Sequence, residues 1–200
     1  DDQTKVTIST WDYAGQEVFY ALQQLFLSRY GVYCVVFDMA KLVPTPEAMA
    51  SIAKGEADRG LEPCLRRYTA ARSGDGSDIY SALGDSDAVR SCFGEIQNKA
   101  VDLLDFWLKS IALQAPGAPV LVVGTSKDLV GETEHHQEIS EKIYEILNRS
   151  SLLHGNSLNV VKNDDGLWFF PVDNSKSGGE TPDAVIGQMR GKISKAVEGD

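Results

Sequence analysis

Pro119-Val120-Leu121-Val122-Val123-Gly124-Thr125-Ser126-Lys127-Asp128 sets an unbroken apolar run against a polar turn. A short run rich in β-branched residues reads as a strand buried on both faces of a parallel sheet. Upstream, Val32-Tyr33-Cys34-Val35-Val36-Phe37 has the same character and ends at Asp38. Between them, Ile96, Ala100, Leu103, Leu104, Trp107 and Ile111 recur at helical spacing until Pro116-Gly117 breaks the pattern. Trp107 falls on the apolar face of that helix and is expected in the core.

Further outward the alternation continues. A helix over about 137–149 carries Ile139, Ile143, Ile146 and Leu147, and Leu167-Trp168-Phe169-Phe170-Pro171-Val172 reads as another strand. A last helix begins near Pro182 and carries Ile186, Met189, Ile193 and Val197. Toward the N terminus, Val6, Ile8 and Thr10 alternate with Thr7, Ser9 and Trp11, a strand that runs into Asp12-Tyr13-Ala14-Gly15-Gln16. Phe19, Leu22, Leu25 and Phe26 then mark a helix up to about Arg29, closed by Gly31. The order β-α-β-(insert)-α-β-α-β-α predicts an α/β fold with a doubly wound, mostly parallel sheet and right-handed crossovers.

Residues 42–94 interrupt this order. Prolines and glycines are scattered among charges, with an acidic, Ser- and Gly-rich stretch near 73–87. The segment reads as an inserted, largely mobile excursion, a small folded subdomain being the alternative. Within it, one short helix is expected from Pro46 with Thr45 as its N-cap, and another from about Leu61 to Arg72.

Composition narrows the class. Forty-two per cent hydrophobic and 24% charged residues are those of a globular chain, and 200 residues suffice for one domain. Nineteen basic against 29 acidic side chains give a net charge of −10, which disfavours nucleic acid and anionic membrane as partners. No apolar run approaches the roughly 20 residues of a transmembrane helix, and no signal-peptide pattern opens the chain. Cys34, Cys64 and Cys92 lack a C-x-x-C spacing and fit free thiols in a cytoplasmic setting. Cys34, inside its apolar strand, is expected as a small buried hydrophobe.

In such folds ligands bind beyond the carboxyl ends of the strands. Three loops there carry chemistry. In the first, Asp12 can hold Mg²⁺ through water, Gly15 lets a backbone N–H approach a terminal phosphate, and Gln16 can orient an attacking water. By itself D-x-x-G is an ordinary turn pattern. In the second, Thr125-Ser126-Lys127-Asp128, the aspartate can accept bonds from both N1–H and the 2-amino group of guanine, a pairing adenine cannot make. In the third, Asp173-Asn174-Ser175-Lys176-Ser177, backbone amides can meet the guanine carbonyl. Each loop alone also reads as a plain polar turn; their order and position make the combination specific. His135-His136, at a helix start, are expected to face water rather than a metal, and Trp11, Phe19 and Tyr20 to pack around the first loop.

The run Trp11-Asp12-Tyr13-Ala14-Gly15-Gln16-Glu17-Val18-Phe19-Tyr20 resembles the switch II region of Roc domains, the Ras-like GTPases of the ROCO family, which includes the leucine-rich-repeat kinases. Phe106-Trp107-Leu108-Lys109-Ser110-Ile111 and the stretch from Ala115 to Asp128 are similar to Roc sequences too. The resemblance covers roughly 5–38 and 95–198. It implies a Ras-like P-loop GTPase fold that binds GTP or GDP with Mg²⁺. Asp12 would serve the metal, Gly15 the γ-phosphate and Gln16 the hydrolytic water. Thr125, Ser126, Lys127 and Asp128 would form the base loop, with Asn174 and Ser175 in the last guanine loop. Ser126 stands where Ras proteins carry a lysine along the base, which implies weaker guanine affinity. The resemblance also implies an adjoining COR domain, leucine-rich repeats and homodimer formation in the parent protein.

No G-x-x-x-x-G-K-[ST] stretch occurs in these residues. The chain therefore reads as the C-terminal two-thirds of one Roc-type domain, N-terminally incomplete and cut from a longer protein. In the Ras-like strand order the absent first strand lies between those at 5–11 and 32–38, so both would lose ladder partners. The isolated chain is expected to bind nucleotide weakly, its activity belonging to the larger protein as a GTP-binding and slowly hydrolysing signalling switch. The alternative is a non-catalytic pseudo-GTPase serving as an interaction or dimerisation module. A phosphoacceptor receiver domain would explain Asp38 and Asp12 but neither Gly15-Gln16 nor Thr125 to Asp128.

Overall fold

The computed structural model describes residues 27–49, 51, 87–131, 133–153, 157–176 and 183–198. The expected strand at 6–11, the Asp12–Gln16 turn, most of the helix that follows it and the helix expected at 61–72 lie outside these residues.

Among the described residues, four strands form one parallel sheet. Strand β1 (Tyr33–Asp38) pairs with β2 (Pro119–Thr125) over its whole length, from Tyr33 opposite Val120 to Asp38 opposite Thr125. The other edge of β2 is shared. Its N-terminal end pairs with β3 (Asn159–Val160), and its C-terminal end with β4 (Phe170–Pro171). Helices α1 (Asp87–Gln114), α2 (Lys127–Val130), α3 (Thr133–Arg149) and α4 (Ala184–Glu198) complete the described order. The parallel α/β architecture is the one the alternation of elements predicts.

β2 is central because its side chains are apolar on both faces. Val120 and Val122 point into a core shared with Leu104, Leu108 and Ile111 of α1 and Ile139, Ile143 and Leu147 of α3. Leu121 and Val123 point the other way, against Phe170, Val172 and Val185, with Ile186, Met189 and Ile193 of α4 alongside. Burying each such side chain contributes about 1.5–3 kcal/mol, so the strand that feeds the 125–128 loop is the best-anchored element of the sheet.

β1 departs from the expectation of burial on both faces. Val35 and Phe37 enter the first core, whereas Cys34 is exposed and Val36 is 62% exposed. The alternation of a pleated strand explains this, since only one face of β1 meets α1. Cys34 is thus an exposed thiol, not the buried hydrophobe expected.

The expected strand at 167–172 is shorter on the sheet. After β3 the chain leaves the edge of β2 in a turn built on Asn163, whose Oδ1 accepts from the amides of Asp165 and Leu167. The Trp168 amide donates to Ser140 Oγ of α3 rather than to a strand. Ladder pairing resumes only at Phe170, and the Val172 amide donates to the Gly124 carbonyl at 2.7 Å.

Residues 42–49, grouped by sequence with the insert, are packed. Leu42, Val43 and Ala48 are buried, and Gln97 Nε2 donates to the Leu42 carbonyl. Residues 46–49 are helical, and Thr45 Oγ1 accepts from the Ala48 amide as the N-cap its position predicts. α1 begins at Asp87, more than two turns before Ile96, and its buried Phe93 contacts Met49. α1 ends where Pro116 cannot continue it and Gly117 takes φ +78°, a turn that an L side chain rarely adopts. No described helix is long and apolar enough to cross a membrane.

Candidate functional site

The carboxyl ends of β2 and β4 bring two of the three expected loops together. Gly124, the last turn of the buried run, has no room for a side chain. A Cβ there would lie 2.6 Å from Met39 Cγ and 3.0 Å from Phe169 Cδ2. This close approach seats the base of the loop on a fully buried Met39 and Phe169. Thr125 then donates its hydroxyl to the Phe37 carbonyl at 3.1 Å, tying the loop to β1.

Ser126 adopts φ 62°, ψ 36°, the left-handed region, as the residue before α2. For a non-glycine residue this costs roughly 1–2 kcal/mol, and such strain persists only where surrounding bonds hold it. Those bonds are present. The Ser126 amide donates to Asn174 Oδ1 at 3.3 Å, and its carbonyl accepts from the Leu129 amide at 3.1 Å. The Lys127 amide reaches the Val172 carbonyl, and the Gly131 amide, at φ +69°, closes α2 onto the Lys127 carbonyl. On the far side, Thr45 Oγ1 donates to the Leu129 carbonyl at 2.8 Å. The packed end of the 42–94 segment therefore braces the loop.

The third loop is ordered by its own aspartate. Asp173, only 4% exposed, accepts from both the amide and the hydroxyl of Ser175 through Oδ1. Ser175 N–H is thereby engaged inside the loop instead of pointing at a ligand. Asn174 is exposed and reaches across to Ser126. Asp128, in the first turn of α2, is exposed.

Thr125, Ser126, Lys127, Asp128, Asn174 and Ser175 are thus gathered at one end of the sheet. Asp12, Gly15 and Gln16 lie outside the described residues. Lys127 directs its ammonium to Asp183, with Nζ 3.4 Å from Oδ2. Sequence reasoning did not single out Asp183, although an aspartate just ahead of Ala184-Val185-Ile186 carries an N-cap signal. Burial works against ionisation of Asp183, but the amides of Asp173 and Val185 and the nearby Lys127 outweigh it and hold the carboxyl below its usual range.

His136 also differs from the sequence expectation. It is buried, 7% exposed, and meets Phe169 edge to face at 6.4 Å between centroids. Burial, then Lys127 and His135, hold its imidazole below the ordinary range, so the ring is kept neutral. It sits on the same helical stripe as Ile139, Ile143 and Leu147 and acts as a core residue beneath the loop. His135 Nδ1 lies 3.0 Å from the Val130 carbonyl, at the end of α2.

A family model described as "Ras of Complex, Roc, domain of DAPkinase" matches residues 1–56, which include the Asp12–Gln16 turn and β1. Among curated proteins of Dictyostelium discoideum, "Probable serine/threonine-protein kinase roco5" is 50% identical over 44 residues, 22% of this chain and 2% of that protein. "Probable serine/threonine-protein kinase roco6" is 27% identical over 168 residues, 82% of this chain and 5% of that protein. "Probable serine/threonine-protein kinase pats1" is 26% identical over 128 residues, 64% of this chain and 2% of that protein. The chain therefore corresponds to a small part of these relatives. No solved structure gives a significant match.

Proposed function

We propose that this chain carries a segment of a Roc domain, of Ras-like fold, and that it supplies the base-reading and γ-phosphate-sensing loops of a GTP switch in a multidomain protein of the Roco kinase kind. The observation that carries the reading is the convergence of 125–128 and 173–175, bridged by Ser126 and Asn174, with Asp128 of the first loop exposed. An exposed carboxylate held by a strained, braced loop suits recognition of two adjacent donors on a flat base. Lys127 is engaged with Asp183, and Ser126 has too short a side chain to lie along a purine. In this reading Asp128 supplies most of the base selectivity and neighbouring residues hold its loop.

Asp12 would hold Mg²⁺ through water, Gly15 would offer its amide to the γ-phosphate, and Gln16 would orient the attacking water for in-line displacement. Mg²⁺ held there would supply charge neutralisation; the chain's own part is positioning. The phosphate cradle would come from sequence beyond these residues, because none of them forms the lysine-bearing loop. A cytoplasmic protein with an adjoining COR domain, leucine-rich repeats and a dimeric parent completes the proposal.

Gln16→Leu in the full-length protein tests the switch assignment. GTP hydrolysis is expected to slow at least about tenfold, roughly 1.4 kcal/mol of barrier, while GTP affinity stays within about twofold. Hydrolysis at the wild-type rate in this variant would remove Gln16 from the mechanism. Absence of GTP hydrolysis by the wild-type protein itself would favour instead a scaffold that holds nucleotide or a partner without turnover.

A further inference from the structure

Three segments meet at Asp183, where Asp173 arrives from ten residues away and Lys127 from 56. Its Oδ2 accepts from the Asp173 amide at 2.9 Å and lies 3.4 Å from Lys127 Nζ. Its Oδ1 accepts from the Val185 amide at 3.0 Å, which caps α4. The Asp183 side chain is 8% exposed and that of Lys127 32%, so the pair is screened less than a surface ion pair. Helix capping requires only one oxygen. The second oxygen joins the base loop to the start of the third loop, next to the Asp173 that organises Ser175.

We propose that Asp183 is a positioning residue that locks the 125–128 loop and the 173–175 loop to the N-terminus of α4. Movement at the start of that helix is thereby transmitted to the residues that hold the base. Asp183 touches no nucleotide in this account; it acts through Lys127 and Asp173. The inference rests on reading 125–128 as the guanine loop, but the linkage itself is measurable without nucleotide.

Capping and clamping are separable by substitution. Serine caps a helix about as well as aspartate but lacks the charge and the second oxygen. Amide hydrogen exchange in the nucleotide-free full-length protein should compare wild type with Asp183→Ser, Lys127→Met, the double variant and Lys127→Arg. With Asp183→Ser, peptides covering 125–131 and 172–176 should exchange on the order of tenfold faster while α4 keeps its protection. Lys127→Met should speed exchange in 125–131, the double variant should add little there to Asp183→Ser, and Lys127→Arg should restore the wild-type pattern. GDP release should accelerate on the order of tenfold in Asp183→Ser and Lys127→Met and not in Lys127→Arg. Wild-type exchange of both loops in Asp183→Ser, or fully additive effects of the two substitutions, would overturn the clamp. Absence of guanine-nucleotide binding by the wild-type protein would overturn the functional reading instead, and the exchange measurement would still decide the linkage.

Discussion

Phe169→Ala is expected to destabilise the fold by about 3–5 kcal/mol, lowering the melting temperature by roughly 6–20 °C. Phe169 is fully buried where three elements meet. It packs edge to face on Phe37 of β1 at 5.7 Å, lies against His136 of α3, and occupies the space a side chain at Gly124 would need. Truncation removes the aromatic contacts and leaves a cavity beneath the start of the 125–128 loop, so loop order should fall along with stability. Phe169→Leu keeps most of the volume and should cost less than about 1.5 kcal/mol. Thermal or urea unfolding measures both. A loss under about 1 kcal/mol for the alanine variant would show that the loop does not depend on this contact.

How far the sequence foretold this arrangement depends on the range of the interactions. β1, β2, α1 and α3 are legible because an apolar run or a 3.6-residue stripe is a local signal tied to burial. Thr45 was legible as a cap for the same reason, yet its second bond, to the Leu129 carbonyl, joins residues 84 apart and has no local signature. The exposure of Cys34 and Val36 was hidden because a continuous apolar run predicts cover on both sides whether or not a helix arrives there. His136 carried a signal that was passed over. It lies three residues before Ile139 and seven before Ile143, on the apolar stripe, within an otherwise polar stretch.

The site divides the same way. Thr125 to Asp128 and Asn174-Ser175 are legible as candidates because strand ends in a doubly wound sheet are where ligands bind, and the two loops do meet there. The Lys127–Asp183 pair depends on how loops 56 residues apart meet, which spacing cannot supply. The start of α1 at Asp87 was missed because the stretch before Phe93 is polar and glycine-bearing and shows little periodicity.

Asp128→Asn is expected to exchange the base preference of the site. A carboxylate accepts from both N1–H and the 2-amino group of guanine, and hydrogen bonds to a charged group contribute about 1.5–3 kcal/mol each. Asparagine offers one acceptor and one donor, so it opposes a donor to the 2-amino group. The affinity for GTP should fall about 100-fold, near 2.8 kcal/mol. The same amide matches xanthine, which presents N1–H beside a carbonyl, so XTP should become the better ligand. Because Asp128 is exposed, folding should be little affected. Retained GTP affinity in a folded Asp128→Asn protein would remove this residue as the base reader.

The central claim, that this chain holds the guanine-reading loop of a nucleotide switch, is tested most directly by competition against a labelled GDP bound to the full-length protein. The account predicts that GTP displaces the label and that ATP needs at least about 100-fold higher concentration to do so. Equal displacement by GTP and ATP, or no retained label at all, would contradict it.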